Sequence, residues 1–490
     1  MPLVPFGDYR PDVADYQAAT SRSLVNVVPR GDGYGPFPGL APLSAALPAA
    51  CRGACVAFRG DGSVAIFAAT ATDLYVLNNT DFGWTRVSKG GVSYTPVPAA
   101  DQWRFAQFNS LVIAVQANTA PQVFVLGSSA AFADLAGAPP QARYVDVVGR
   151  FVVLSGLLSN PQRVQWSGLN DVNGPSSWTP GVNSSDYQDL PDGGYVRGVA
   201  GGETGVILQD SAIRRMSYLP GSPIVFQIER IVQDKGVFAP GSIVRAGVSV
   251  FFHAAQGFHR IDPGGFPVPI GRERVDRSFL ADLDPANLQL FTGAADPRNA
   301  RVLWAYKSVN GPSGGFDRIL VYDVALDRFT LAELGGEYLL QVAQPGLTLE
   351  ALDAFSASID AMTSSLDSFS IAATPELGAF DAAHRLNFFR GPALEARLES
   401  AEQGTDGRRL KLRGFRPVTD APVLFGAASR RETQGAAAVH TAEVPLNPVT
   451  GRCDLVADTR YCRYRCRIPA ATGWSFIAGV EPDLVLTGKR

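Results

Sequence analysis

Four histidines, five cysteines and one stretch dense in acids and arginines are where this 490-residue chain could do chemistry. His253 and His259 flank the turn at Gln256-Gly257, a spacing that suits a hairpin cap better than a metal pair, whose ligands must converge on one point. Cys453, Cys462 and Cys466 could hold zinc, but the spacing is not Cys-x2-Cys and no histidine accompanies them. With Cys51 and Cys55 they read as reduced thiols acting as small buried hydrophobes. Asp192, Glu203, Asp210, Arg214 and Arg215 are the side chains that a carbohydrate-binding or glycoside-cleaving funnel would use, and surface turns use the same ones. No His-Glu-x-x-His helix and no Gly-x4-Gly-Lys-Ser/Thr loop is present. The expectation is a chain that is not an enzyme, with no cofactor and no metal.

A second pattern is electrostatic. Along Tyr461 to Ile468, Cys462, Tyr464, Cys466 and Ile468 share one strand face while Arg463, Arg465 and Arg467 share the other with Tyr461. Arg409, Lys411 and Arg413 alternate with Leu410 and Leu412 in the same way, and Arg460 lies just ahead of the first run. From Leu386 onward there are 16 Lys/Arg against 11 Asp/Glu, and before it 27 against 35, so a net charge of −3 conceals a basic C-terminal part and an acidic remainder. Two chemistries fit those seven cations: a surface shared with a neighbouring subunit, or contact with nucleic-acid phosphates, which requires only positive charge facing a channel.

The elements that must position these groups are strands. Apolar residues are 46% and charged residues 18%, with 50 Gly and 35 Pro, a composition that favours many short strands between turns over long helices. Six units start near residues 56, 103, 142, 195, 242 and 290. Each runs through a strand, a tight turn and a more hydrophobic strand, and the spacing is that of a four-stranded propeller blade. The central runs Val64 to Ala68, Leu111 to Val115, Phe151 to Leu154, Val206 to Leu208 and Val248 to Phe252 are apolar almost throughout, as burial on both faces requires. Tandem β-sandwiches would also give short strands and turns. Between Thr348 and Leu366, apolar residues recur at three or four positions, compatible with an amphipathic helix; two Leu-Asp-x-Phe repeats, at 352–355 and 366–369, fit a meandering linker instead.

The expected fold is all-β: a β-propeller of about six blades with a C-terminal β-sandwich-like platform. Its parts would be an N-terminal extended arm and first strands (1–50), the propeller (51–340), a partly helical linker or insertion (341–385) and the basic β-platform (386–490). No apolar run of 18 residues exists and the N-terminus lacks signal-peptide features, so no membrane insertion and a cytoplasmic origin are expected.

Several short motifs carry a family resemblance. Asp15-Tyr16-Gln17, Ser23 to Pro29 around Asn26, and Gly33 to Leu40 with Pro38-Gly39-Leu40 resemble the opening of the DNA-stabilisation or tail-hub (nozzle) proteins of short-tailed bacteriophages. Val232 to Gly236 is similar to that family's Gln-Lys-Gly turn, and Asp317 to Asp323 to its Leu-Val-Tyr-Asp strand. Leu366-Asp367-Ser368 and Phe380 to Leu386 look like the version in phages and prophages of Alphaproteobacteria. Phe37 stands where an Arg is commoner, which puts a polar role there in doubt. The resemblance implies a virion protein of the phage tail, assembled in the host cytoplasm. It would form a self ring, expected to be a hexamer, below the portal and adaptor proteins, surround genomic DNA without reading its sequence, and mount tail fibres or spikes. A carbohydrate-active or receptor-binding tail propeller is the alternative.

Overall fold

The computed structural model describes residues 3–344, 373–404 and 408–488, and regular structure within them is overwhelmingly β-strand. Each of the six sequence units forms one four-stranded antiparallel meander. Sheet 1 runs from Ala54–Phe58 to Trp84–Arg86, sheet 2 from Arg104–Phe108 to Ala133–Asp134, and sheet 3 from Ala142–Val148 to Asp186–Asp189. Sheet 4 runs from Val196–Ala200 to Phe226–Gln233, sheet 5 from Val244–Ala246 to Val268–Pro269, and sheet 6 from Thr292–Asp296 to Arg328–Gly336. The second strands are the apolar ones: Val64–Ala69 and Phe151–Leu157 are buried at every residue. The first strands Arg104–Phe108 and Ala142–Val148 are half-buried along most of their length. A second strand with another sheet against both faces must be apolar on both, whereas a first strand that borders open space need not be.

A seventh sheet joins these six, built from Tyr338–Gln344, Thr374–Phe380, Arg385–Ala393 and, as its last strand, the N-terminal segment Pro38–Ala46. Apolar side chains gather in the gaps between consecutive sheets. Phe67, Phe124 and Phe132 meet edge-on or tilted between sheets 1 and 2, and Phe151, Trp166 and Phe226 between sheets 3 and 4. Phe251, Phe258, Trp304 and Tyr322 lie between sheets 5 and 6. The same holds for sheets 6 and 7, and a further cluster of Ile66, Tyr75, Phe380 and Phe388 lies between sheet 7 and sheet 1. Each buried Phe or Leu contributes roughly 1.5–3 kcal/mol relative to exposure, so every gap is a substantial part of the stability.

Two further sheets face each other across one core. One holds Val27–Arg30, Gly33–Pro36, Ile477–Leu486, Leu410–Thr419 and Ala457–Thr459, with Val4–Pro5 on Ile477–Leu486. The other holds Thr20–Val25, Ala396–Ser400, Tyr461–Ile468 and Phe425–Arg431, and it is continuous with sheet 6, because Val25 pairs with Leu331 in parallel. Between them Leu410, Leu412, Phe415 and Ile477 pack against Cys462, Tyr464, Cys466 and Ile468. The alternation at Tyr461–Ile468 is therefore real: the cysteine face is the core face.

The sequence-derived boundaries cut across these pairings. Pro38–Ala46 and Arg385–Ala393, assigned to arm and platform, are adjacent strands of sheet 7, and the boundary after residue 340 falls inside Tyr338–Gln344. The strands expected in the N-terminal stretch complete the two-sheet unit and then sheet 7. Local hydrophobic patterning marks strands but not which distant strand they pair with, so divisions drawn along the chain miss this weave. The helix anticipated at Thr348 to Leu366 lies outside the described residues. The α-helix Asp276–Asp282 is capped from afar by Asp12, whose carboxylate accepts from the backbone N–H groups of Arg277 and Ser278 at 2.7 and 2.8 Å. Among the described residues, no helix is long and apolar enough to cross a membrane.

Candidate functional site

The basic strand Tyr461–Ile468 lies in the middle of its sheet, between Ala396–Ser400 and Phe425–Arg431, so its outward arginines have neighbours on both sides. Arg463 is gripped bidentately by Asp15, at 2.8 and 3.0 Å, with Glu402 at 3.9 Å and Glu399 at 4.0 Å. Its side chain is only 12% exposed and that of Asp15 8%. Glu402, itself buried, also takes the Arg431 guanidinium, so two arginines and three carboxylates form one partly buried network. Arg467 pairs with Glu443 at 2.7 Å and Glu395 at 3.1 Å and lies 4.5 Å over the Phe425 ring. The hydrogen bond from Arg467, with Arg465 nearby, holds the Glu443 carboxyl below the usual carboxylate range.

The remaining cations divide. Arg409 donates to both oxygens of Glu432 at 2.8 and 2.9 Å and to Asp458 at 2.8 Å. Arg460 is half-buried, and its Nε has no hydrogen-bond partner among the described residues. Lys411 and Arg413 are exposed on the opposite sheet, Lys411 with Asp458 across from it in register, and neither side chain has an ion-pair partner among the described residues. The structure thus brings Arg463, Arg465 and Arg467 to one face and Lys411 and Arg413 to another. It engages Arg409, Arg463 and Arg467 within the chain, leaving Lys411, Arg413 and Arg465 as the cations most available to another molecule.

Asn26 is the support that sequence reasoning noted only as part of a motif. It sits at φ 59°, where a side chain other than Asn or Asp is strained. Its N–H donates to Leu331 O and its Oδ1 accepts from Glu333 N, both in sheet 6, while its Nδ2 donates to Glu395 O in the two-sheet unit. One side chain therefore pins both halves of the molecule to the N-terminal strand. Phe37 is buried edge-on against Phe389, an apolar role.

The carbohydrate-type residues do not converge. Arg214 and Arg230 both meet Asp192, and Arg197 meets Asp210, while Glu203 and Arg215 lie elsewhere, along the gap between sheets 4 and 5. His253 is fully buried among Phe238, Phe258, Phe279 and Phe291, with neither ring nitrogen bonded to a partner, and burial pushes its pKa down to about 3. It is a core residue more than a cap. All five cysteines are free, and burial pushes the Cys453 and Cys462 thiols up to about 11 and about 12, which suppresses thiolate chemistry. Gly311-Pro312-Ser313-Gly314-Gly315 fits the nucleophile-elbow pattern letter for letter. It lies in the exposed connection between the antiparallel strands Arg301–Tyr306 and Phe316–Asp323, not at a strand-to-helix turn.

No family model matches the chain. No curated protein matches it either. Solved structures are similar at low identity. The extracellular domain of a "hybrid two component system" of B. thetaiotaomicron aligns at 11% identity over 83% of this chain and 47% of that one, with a TM-score of 0.42. A related "one component system" extracellular domain aligns at 12% identity over 78% and 44%, again with a TM-score of 0.42. A chain of the mitotic checkpoint complex aligns at 9% identity over 72% and 92%, with a TM-score of 0.37. This chain spans under half the length of the first two.

Proposed function

We propose that this chain is a seven-bladed β-propeller fused to a β-sandwich, and that it serves as a structural part of a bacteriophage tail, in a ring of copies around the genome's exit path. The propeller reading rests on the apolar clusters that follow one another from sheet to sheet and end between sheet 7 and sheet 1. The observation that carries the structural role is the continuous sheet running from the sixth blade into the sandwich through Thr20–Val25, with Asn26 pinning the joint. Two units joined by main-chain hydrogen bonds move as one body, a property suited to bearing load in an assembly. The motifs shared with the tail-hub family lie on this same path: Asp15 holds Arg463, Asn26 holds the joint, and Pro38-Gly39-Leu40 opens the strand that completes the seventh blade.

In this reading Lys411, Arg413 and Arg465 face a neighbouring copy or the DNA, and a head-to-tail contact repeated around an axis closes a ring. The test is mass and shape: light scattering and electron microscopy of the purified chain, alone and with its adaptor ring. Six-fold rings are expected. A monomer that neither self-assembles nor binds the adaptor would overturn the proposal.

A further inference from the structure

Between sheets 4 and 5 a cavity of about 390 Å3 opens at one end of the gap. Its floor is aliphatic: Val206 and Ile231 from sheet 4, Val250 and Ile261 from sheet 5. Pockets of this size suit one or two side chains or a small organic ligand. The mouth lies where the first and second strands of both sheets turn, at Gly201 to Glu203 and at Gly247-Val248. The third-to-fourth connections return to that same end, and they carry Ile224 and Phe266. Val248, which lines the cavity, is 68% exposed, and Ile224 and Phe266, on connections at the same end of sheets 4 and 5, are 63% and 69% exposed.

The charges around it are unequal in availability. Arg245 donates to Gly201 O, and to Gly247 O at 3.0 Å, which fixes it as a tie between the sheets. Asp262 accepts from Ser249 and pairs with Arg260 at 3.1 Å. Arg215 is different: half-buried in the wall, it has no hydrogen bond and no ion pair among the described residues. Glu229, opposite it in register, accepts the Gln227 amide on Oε1 and makes no ion pair with it. A half-buried guanidinium beside an aliphatic floor, without a carboxylate of its own, is an incomplete ion pair. Glu203, exposed and also lining the cavity, repels a second anion and so gives any occupant a direction.

We propose that this cavity docks an extended peptide segment of a partner protein, seating an aliphatic or aromatic side chain on the Val206–Ile261 floor and an adjacent carboxylate on Arg215. An extended segment seated on this floor passes the exposed Val248 at the mouth and, at the same end of the two sheets, can reach the exposed Ile224 and Phe266, which a small ligand could not cover, and this favours a peptide. This inference does not depend on ring formation, and substitutions at the cavity leave the sandwich cations untouched.

The test uses the full chain and labelled acetyl-Gly-Leu-Asp-Ala-Phe-Gly-amide, followed by fluorescence anisotropy, with a matched peptide carrying Asn in place of Asp. The Asp peptide binds saturably, and the Asn peptide about tenfold more weakly. In Arg215→Met, which keeps the aliphatic stem, that preference disappears, and Val248→Asp weakens both peptides while circular dichroism stays unchanged. Absence of saturable binding up to about 1 mM, equal affinity for the two peptides, or an Asp preference that survives Arg215→Met would each overturn the proposal. Ring assembly of Arg215→Met, measured in parallel, separates failure here from failure of the tail-protein reading.

Discussion

Two gaps between sheets are built in opposite ways. Between sheets 7 and 1, which residues 47–53 connect but where three of sheet 7's four strands come from beyond residue 337, the contact is dense: the Glu337 carboxylate accepts from Cys51 N at 2.9 Å, 286 residues away, and meets His384 Nδ1 of its own sheet at 2.6 Å. Across the gap Ala45 N donates to Phe82 O and the Trp84 indole to Ala45 O. Between sheets 4 and 5 the chain passes directly through residues 234–243, the apolar cluster is smaller, and a cavity remains. Sheets 4 and 5 are each one unbroken stretch of chain, so the gap between them can be left open for another use. Sheet 7 draws its strands from distant segments, and its face on sheet 1 must be secured by side chains because loop closure opposes their association.

Breaking the dense gap should have the largest effect. Glu337→Ala leaves the buried Cys51 N–H without its acceptor and the partly exposed His384 without its partner, and is expected to cost about 1–3 kcal/mol; urea unfolding measures it, and a loss below about 0.5 kcal/mol would show that these bonds are dispensable. The gap between sheets 5 and 6 supplies a pH-dependent test. His253 is held down to about 3 by burial and by nearby His259, against about 6.5 when unfolded. The stability it confers is present above pH 6.5 and is lost as pH falls toward 3, at up to about 1.4 kcal/mol per pH unit. His253→Phe should therefore lose less stability than the parent between about pH 7 and pH 4.5, and parallel curves would refute the assignment. The smallest effect sharpens the contrast directly. Ala68→Leu in the full gap is expected to destabilise by about 1–3 kcal/mol, whereas Val206→Leu beside the cavity should change stability by no more than about 0.5 kcal/mol. Equal losses in thermal unfolding would mean the two gaps are packed alike.

What was legible in the sequence was local. Six sheets announce themselves because each second strand is an apolar run between Gly, Asn or Asp turns, and the alternation at Tyr461–Ile468 names its own buried face. The seventh sheet was invisible, since its strands come from 38–46, 338–344, 374–380 and 385–393 and no period relates them. The basic face was legible as a row of arginines but not as a set of ion pairs: nothing near Arg463 points to Asp15, 448 positions earlier. Likewise His253 reads as a turn residue, because the four phenylalanines around it come from four separate stretches of chain. Chemistry that depends on convergence has no signature in spacing.

The placement of Pro38–Ala46 at the end of sheet 7 has a consequence for biosynthesis. Ser44 accepts from Leu386 N across 342 residues, so at about 5–20 residues per second the strand leaves the ribosome roughly 20 to 70 s before its partner exists. During that wait it is a bare strand in a crowded cell. Pro38 and Pro42 lack the N–H groups that a stray neighbour would bind, a protection written into a segment that must stay single for most of synthesis.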